Sequence, residues 1–301
     1  MLPNHIQPSP YLLLVLATLL WSSNFVLGRA VQGDIPPIAL SFWRWVVALA
    51  ILLPFTGPVL WQQRQALRVH WRALLGLGIL GVANFNTFVY LGLTDTTATN
   101  AVLMVSTTPV LIVALSFVLL GQTVNSWQGA GILVSMVGVA TIVTRGDLGQ
   151  ILALSINRGD LWVLAAVVNW ASYSVCLRWR PTGLPPPVFL TALMIAGQAV
   201  LLPLYLWDLS RGHGFALNGS NLLTIGYVAL GPSVLAFIFW NRGVGQLGAN
   251  RAGQFLHLMP AFGAVLAMIF LGERLYGFHA AGIMLIAAGI YLTTGPGARR
   301  A

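Results

Sequence analysis

A guanidinium stands inside an apolar run, in Trp43-Arg44-Trp45, eight residues after Pro36. An arginine held at the middle of a lipid-embedded helix costs about 2.5–3.5 kcal/mol on insertion scales. No Asp or Glu falls inside an apolar run to offset it. Three outlets are open to it: snorkelling to the interface, bonding backbone carbonyls, or meeting the carboxylate of a solute. His257, three residues before Pro260, reads either as a core residue satisfied by its neighbours or as a solute contact beside a broken helix. It lacks the further ligands that a metal site needs. Asn24, Asn84, Asn86, Tyr90, Thr107, Thr108, Tyr173 and Gln254 put amides and hydroxyls into other apolar runs. Such groups either tie helices together or line an aqueous cavity. Trp21 and Trp170 lie about ten residues into their runs and fit a cavity wall as well as plain packing, whereas Trp240, near the end of a run, suits an interfacial belt. Pro109 and Pro260 each remove a backbone donor and release carbonyls near mid-run. A kink for close packing is one reading; a broken helix lining a solute site is the other.

What these residues do not form is as informative. There is no His-Glu pair, no pair of acids and no Ser/His/Asp set at matching depth, so enzymatic chemistry has no candidate apparatus. The single Cys176 leaves no disulfide framework and no thiolate metal site, and no cofactor is expected. The formal charge of +9 comes with 15 basic residues, all Arg. They are thinly spread, without the basic stripe of a nucleic-acid binder. The expected partners are a lipid bilayer and a small-molecule substrate, with no obligate protein partner evident.

The elements that must hold these side chains follow from composition. Of 301 residues, 57% are apolar and 7% charged, against about 25% charged in an ordinary soluble domain. A water-facing surface cannot be built from so few charges, which leaves an all-α integral membrane protein. Runs long enough to span, about 20 residues each, fall near 11–31, 36–56, 72–93, 98–120, 127–144, 160–178, 186–206, 221–241, 250–271 and 278–295. The first is too long for a signal-peptide core and has no basic residue before it. The chain also repeats itself. Trp21, Ser23, Arg29, Pro36, Pro37 and Pro54 recur 149 residues later as Trp170, Ser172, Arg178, Pro185, Pro186 and Pro203. Pro109, Gly121, Gly131 and Gly138 recur after 151, as Pro260, Gly272, Gly282 and Gly289. One slip of two residues reconciles the offsets. Two five-helix repeats are expected, 1–148 and 149–301. Five is odd, so the second must enter the membrane from the opposite side, as in many inverted-repeat carriers. With both termini inside, the inner connections and tail hold nine Arg and the outer connections five, which favours cytoplasmic termini. Gly131, Ser135 and Gly138, with Gly282 and Gly289, let their helices approach closely, so spans 5 and 10 should be the scaffold around which the others move.

The chain resembles the drug/metabolite transporter superfamily, in its ten-span EamA-type branch. The resemblance covers nearly the whole chain. It rests on Trp21-Ser22-Ser23-Asn24-Phe25, on Arg44, and on the stretch from Pro109 through Gly121 to Gly131 and Gly138, with its counterpart from Pro260 through Glu273 to Gly282 and Gly289. It departs from the pattern at Gly121-Gln122, where the branch has Gly-Glu; the second copy keeps Gly272-Glu273. Within the branch the chain is similar to bacterial exporters of aromatic amino acids. The resemblance implies an alternating-access exporter in the bacterial plasma membrane. An aromatic-rich interior suits an aromatic side chain, and the absence of acids from the membrane core argues against a carboxylate proton relay. Export of drugs, amines, nucleosides or other metabolites is the alternative; a channel or an intramembrane enzyme fits less well.

Overall fold

A computed structural model describes residues 8–30, 34–96, 101, 104–147, 157–271 and 276–295. Regular structure among the described residues is helical throughout, since in lipid a helix satisfies its backbone groups within one segment. We label the principal helices α1 (Pro10–Ala30), α2 (Pro37–Gln62), α3 (Trp71–Asp95), α4 (Thr108–Leu120), α5 (Ser126–Val143), α6 (Arg158–Trp179), α7 (Pro186–Ser210), α8 (Gly219–Leu247) and α10 (Gly277–Thr294). α9 is assembled from Ala249–Gly253, a 3-10 turn Gln254–His257 and Leu258–Leu271. A short helix, Arg64–Val69, links α2 to α3.

The helix starts follow local chemistry. Pro37 and Pro186 sit in the first turns of α2 and α7, where the missing N–H has no partner to lose. Asn125, Asn157 and Asn218 each accept a backbone N–H at the starts of α5, α6 and α8, the role that favours Asn at N-caps. Gly121 closes α4 with φ 63°, a left-handed conformation that glycine adopts at little steric cost. Among the described residues, seven helices are long and apolar enough to cross a membrane: α2, α3, α5, α6, α7, α8 and α10. Pro10–Asn24 and Thr108–Leu120 are shorter apolar helices.

The run at 250–271, expected as one span, is three pieces. The run at 98–120 turns at Ser106 and Thr107 before α4 begins. Pro109 and Pro260 thus lie just inside helices that start partway along their runs, where the missing N–H of proline costs no ladder bond. Gly272, Glu273, Arg274, Arg299 and Arg300 lie outside the described residues.

α5 packs along α10, α2 along α7, α1 against α8 and α9, and α6 against α3 and α4. Exchanging residues by the sequence offsets turns each of these helix pairings into another of them or into itself. A Cβ on Gly131 would come within 2.5 Å of the Gly289 carbonyl, and one on Gly138 within 2.7 Å of the Gly282 carbonyl. Gly92 abuts Val163 just as Gly243 abuts Leu14.

Two features had no signature in the periodicity. α3 carries a π-helical segment at Ile79–Asn84, and α8 carries one at Ala229–Leu235. The two segments fall at corresponding places in the two halves of the sequence. Pro232, inside the second segment, cannot donate to the ladder, which is one cause of a widened turn.

Candidate functional site

The widened turns face one aromatic core. Trp21 of α1 and Trp170 of α6 meet edge to face, ring centres 4.9 Å apart at 85°. Phe237 and Trp240 of α8 touch both, at 5.3–5.8 Å. Trp45 packs on Phe237 at 5.0 Å, Phe85 on Trp170 at 4.7 Å and Tyr173 on Trp170 at 5.1 Å. Edge-to-face contacts of this kind add about 0.5–1.5 kcal/mol beyond burial. The Trp21 indole donates to the Pro232 carbonyl at 3.0 Å, so the second π-turn receives a ring from the first half of the chain. Gly81 in the first π-turn faces the Tyr173 ring, which a Cβ would meet at 2.6 Å. The expectation that Trp240 joins an interfacial belt is corrected: it is fully buried, because α8 continues to Leu247 and carries Trp240 inward.

Beside the rings lies a polar cluster. Arg44 is fully buried. Its Nε donates to Ser233 Oγ at 2.7 Å, and its Nη1 donates to Asn86 Oδ1 at 2.8 Å and to Tyr90 Oη at 2.7 Å. Ser233 in turn donates to the Val228 carbonyl, within the widened turn of α8, and Tyr90 donates to Asn24 Oδ1 at 3.1 Å. Arg44 therefore bonds side chains, neither snorkelling nor turning to backbone carbonyls. The Nη2 of Arg44 and the Nδ2 of Asn86 have no partner. A buried donor left unpaired costs about 1–3 kcal/mol, more when it is charged. No carboxylate is among the partners of Arg44 in the described residues.

The second half mirrors part of this. Tyr173 Oη donates to Asn241 Oδ1 at 2.7 Å. By the repeat offsets Tyr173 stands where Asn24 stands, and Asn241 where Tyr90 stands. The counterpart of Arg44 is Leu193, fully buried.

The remaining expected site residues lie apart from these clusters. Asn84 donates to Asn169 at 3.1 Å, tying α3 to α6. Thr107 is half-buried and bonds the Met104 carbonyl. Pro109 and Pro260 are buried at the helix breaks, and Pro109 lies against Gly253. Of the carbonyls at those breaks, that of Ser106 accepts from His257 Nε2 at 2.9 Å, and that of Met259 accepts from Ser22 at 3.1 Å. His257 is fully buried with both nitrogens engaged, its Nδ1 lying 2.6 Å from Ser135 Oγ. Ser106 is the repeat counterpart of His257, so the two broken helices touch each other here. Gln254 is buried; its Oε1 is unpaired and its Nε2 reaches only the Asn250 carbonyl at 3.5 Å. Sequence reasoning missed Ser233, Phe237 and Trp45. The one available signal was Gly231-Pro232-Ser233, a helix breaker and a hydroxyl inside an apolar run.

An all-helical chain with this many apolar spans and a buried arginine–aromatic core is a multi-pass membrane protein. The chain matches the EamA-like transporter family twice, over residues 8–144 and again over 157–295, and it belongs to that family, within the drug/metabolite transporter superfamily. Among relatives, it is 27% identical over 95% of its length to the uncharacterized transporter YyaM of Bacillus subtilis, covering 93% of that protein. It is 30% identical to a probable terminal-alkyne amino-acid exporter of Streptantibioticus cattleyicolor, over 91% of each chain. It is 24% identical to a probable amino-acid metabolite efflux pump of Salmonella typhimurium, over 93% of each. A solved crystal structure shares the fold with a TM-score of 0.78 at 24% identity, over 98% of this chain and 99% of that one.

Proposed function

We propose that this protein exports aromatic or other bulky amino acids by alternating access, as a carrier rather than an enzyme or a pore. The reading has ten spans in two five-helix units, 1–148 and 149–301, the second turned over relative to the first. Both termini face the cytoplasm of a bacterial cell. The observation that carries it is the Trp21–Trp170 contact, in which counterpart residues of the two halves meet in one aromatic core beside Arg44. A solute between the halves is reached by moving one half against the other. The amino-acid efflux named for two relatives supports the solute class.

Trp21, Trp170 and Tyr173 provide the apolar wall, and Asn24, Arg44 and Tyr90 the polar end. Pro109 and Pro260, with Thr107, Gln254 and His257, form the interrupted helices that let the path open, and Asn84 holds α3 to α6. With no acid in the middle of an apolar run, Asp160 and Asp208 lying near the ends of α6 and α7, flux follows the solute gradient without a carboxylate relay.

Counterflow in proteoliposomes tests this. Labelled phenylalanine should exchange faster when unlabelled phenylalanine is present on the opposite side, and the rate should survive collapse of the proton gradient. Equal rates with and without the opposing solute would indicate a pore. Concentrative uptake driven by an imposed pH step would remove the uncoupled mechanism.

A further inference from the structure

We infer that the polar end of the site is a carboxylate seat formed by Arg44 Nη2 and Asn86 Nδ2, and that an aromatic acid needs no amino group to occupy it. The inference rests on the transport reading above and narrows its solute to aromatic monocarboxylates: amino, hydroxy and keto acids alike.

The hydrogen-bond ledger of the cluster carries it. Arg44 has five N–H donors in a planar fork. Nε is taken by Ser233, and Nη1 is taken twice, by Asn86 and Tyr90. Nη2 keeps both of its N–H groups, and so does the Nδ2 of Asn86. The orientation of the Asn86 amide is fixed by chemistry, since turning it over would set an NH2 against the guanidinium. Four N–H groups, one pair carrying a full charge, are therefore held by two bonded side chains with nothing to receive them. A carboxylate is the acceptor that suits a guanidinium edge, and it neutralises the charge as well.

Within the arginine and aromatic clusters no unpaired acceptor awaits an ammonium group; the unpaired Gln254 Oε1 lies apart from both. The nearby side chains with unpaired atoms extend the same bias: the indole nitrogens of Trp45, Trp170 and Trp240 are unpaired donors. Trp45 is also stacked by the guanidinium, 5.4 Å from its ring centre. An amine without a carboxylate would meet Arg44 as a like charge. An amino acid enters because its carboxylate is seated, and its ammonium is tolerated rather than read.

The test separates binding from flux. Thermal stability of the purified full-length protein in detergent is measured with L-phenylalanine, 3-phenyllactate, phenylalanine amide and phenethylamine. Counterflow is measured with the same four in proteoliposomes. Phenylalanine and phenyllactate should raise the melting temperature with half-saturation within about threefold of each other, and the amide and the amine should leave it unchanged. Asn86→Ala should weaken half-saturation by the two acids about 10-fold or more, the loss of hydrogen bonds to a charged group. Arg44→Gln should abolish it. Stabilisation by phenethylamine equal to that by phenylalanine, or none by either acid, overturns the seat; both results are read on the unsubstituted protein and do not depend on a variant folding. Stabilisation by the acids with no counterflow would uphold the seat and refute the transport reading instead.

Discussion

The two Tyr–Asn hydrogen bonds occupy equivalent places in the halves of the chain, yet their surroundings differ by one residue. Beside Asn24–Tyr90 stands Arg44, held by three polar partners and still short of acceptors. Beside Tyr173–Asn241 stands Leu193, buried in the main apolar core. The backbone scaffold is duplicated and its charge is not. On the proposed reading, a solute crossing the molecule would meet one charged station and one apolar one.

The largest effect should come from forcing the poles to be alike. Leu193→Arg buries a second guanidinium with no Ser233–Asn86–Tyr90 set waiting for it. The cost should be at least about 3 kcal/mol, seen as loss of the monodisperse peak in size-exclusion chromatography. A variant as stable as the parent would mean that the poles are interchangeable. The reverse change, Arg44→Leu, should preserve the fold, because Ser233 still donates to Val228 and Tyr90 still donates to Asn24. Exchange of aromatic acids should nonetheless fall by about 100-fold, equivalent to about 2.7 kcal/mol; unchanged exchange would detach Arg44 from the solute. Next come the hydroxyls. Tyr90→Phe removes a bond to a charged group, worth about 1.5–3 kcal/mol, whereas Tyr173→Phe removes a neutral one, about 0.5–1.5 kcal/mol. Thermal unfolding of the pair should rank them in that order, and the opposite order would break the contrast. Leu193→Met, nearly volume-conserving, should cost under about 1.5 kcal/mol and leave the ratio of acid to amine binding untouched; a shift in that ratio would show that the second pole also reads the solute.

Much of this was legible in the residues, and the failures have physical causes. Apolar length marked the helices, and Gly131, Gly138, Gly282 and Gly289 announced the close crossing of α5 and α10. Trp21 and Trp170 stood out by depth in their runs. Trp240 was misplaced because position within an apolar run was taken as depth in the membrane, and α8 runs six residues past Asn241. The partners of Arg44 were hidden because they come from two other helices, Asn86 and Tyr90 from α3 and Ser233 from α8, and Ser233 owes its aim to a widened turn that no period of 3.6 residues would reveal. His257 could be read either way because satisfaction at both nitrogens depends on Ser106 and Ser135, far apart in the chain. The offset slip was visible as arithmetic.

The glycine crossing of α5 on α10 has one more implication. Its contacts return to themselves on exchange: Gly131 meets Gly289 as Gly282 meets Gly138. That is the rule of an isologous interface, the kind that two identical subunits make about a dyad. On the inverted-repeat reading, the chain is laid out like a dimer whose protomers are covalently joined, and the join gives it a freedom that a true homodimer lacks. A homodimer must present Arg44 twice or not at all; a tandem chain can keep it in one copy and leucine in the other.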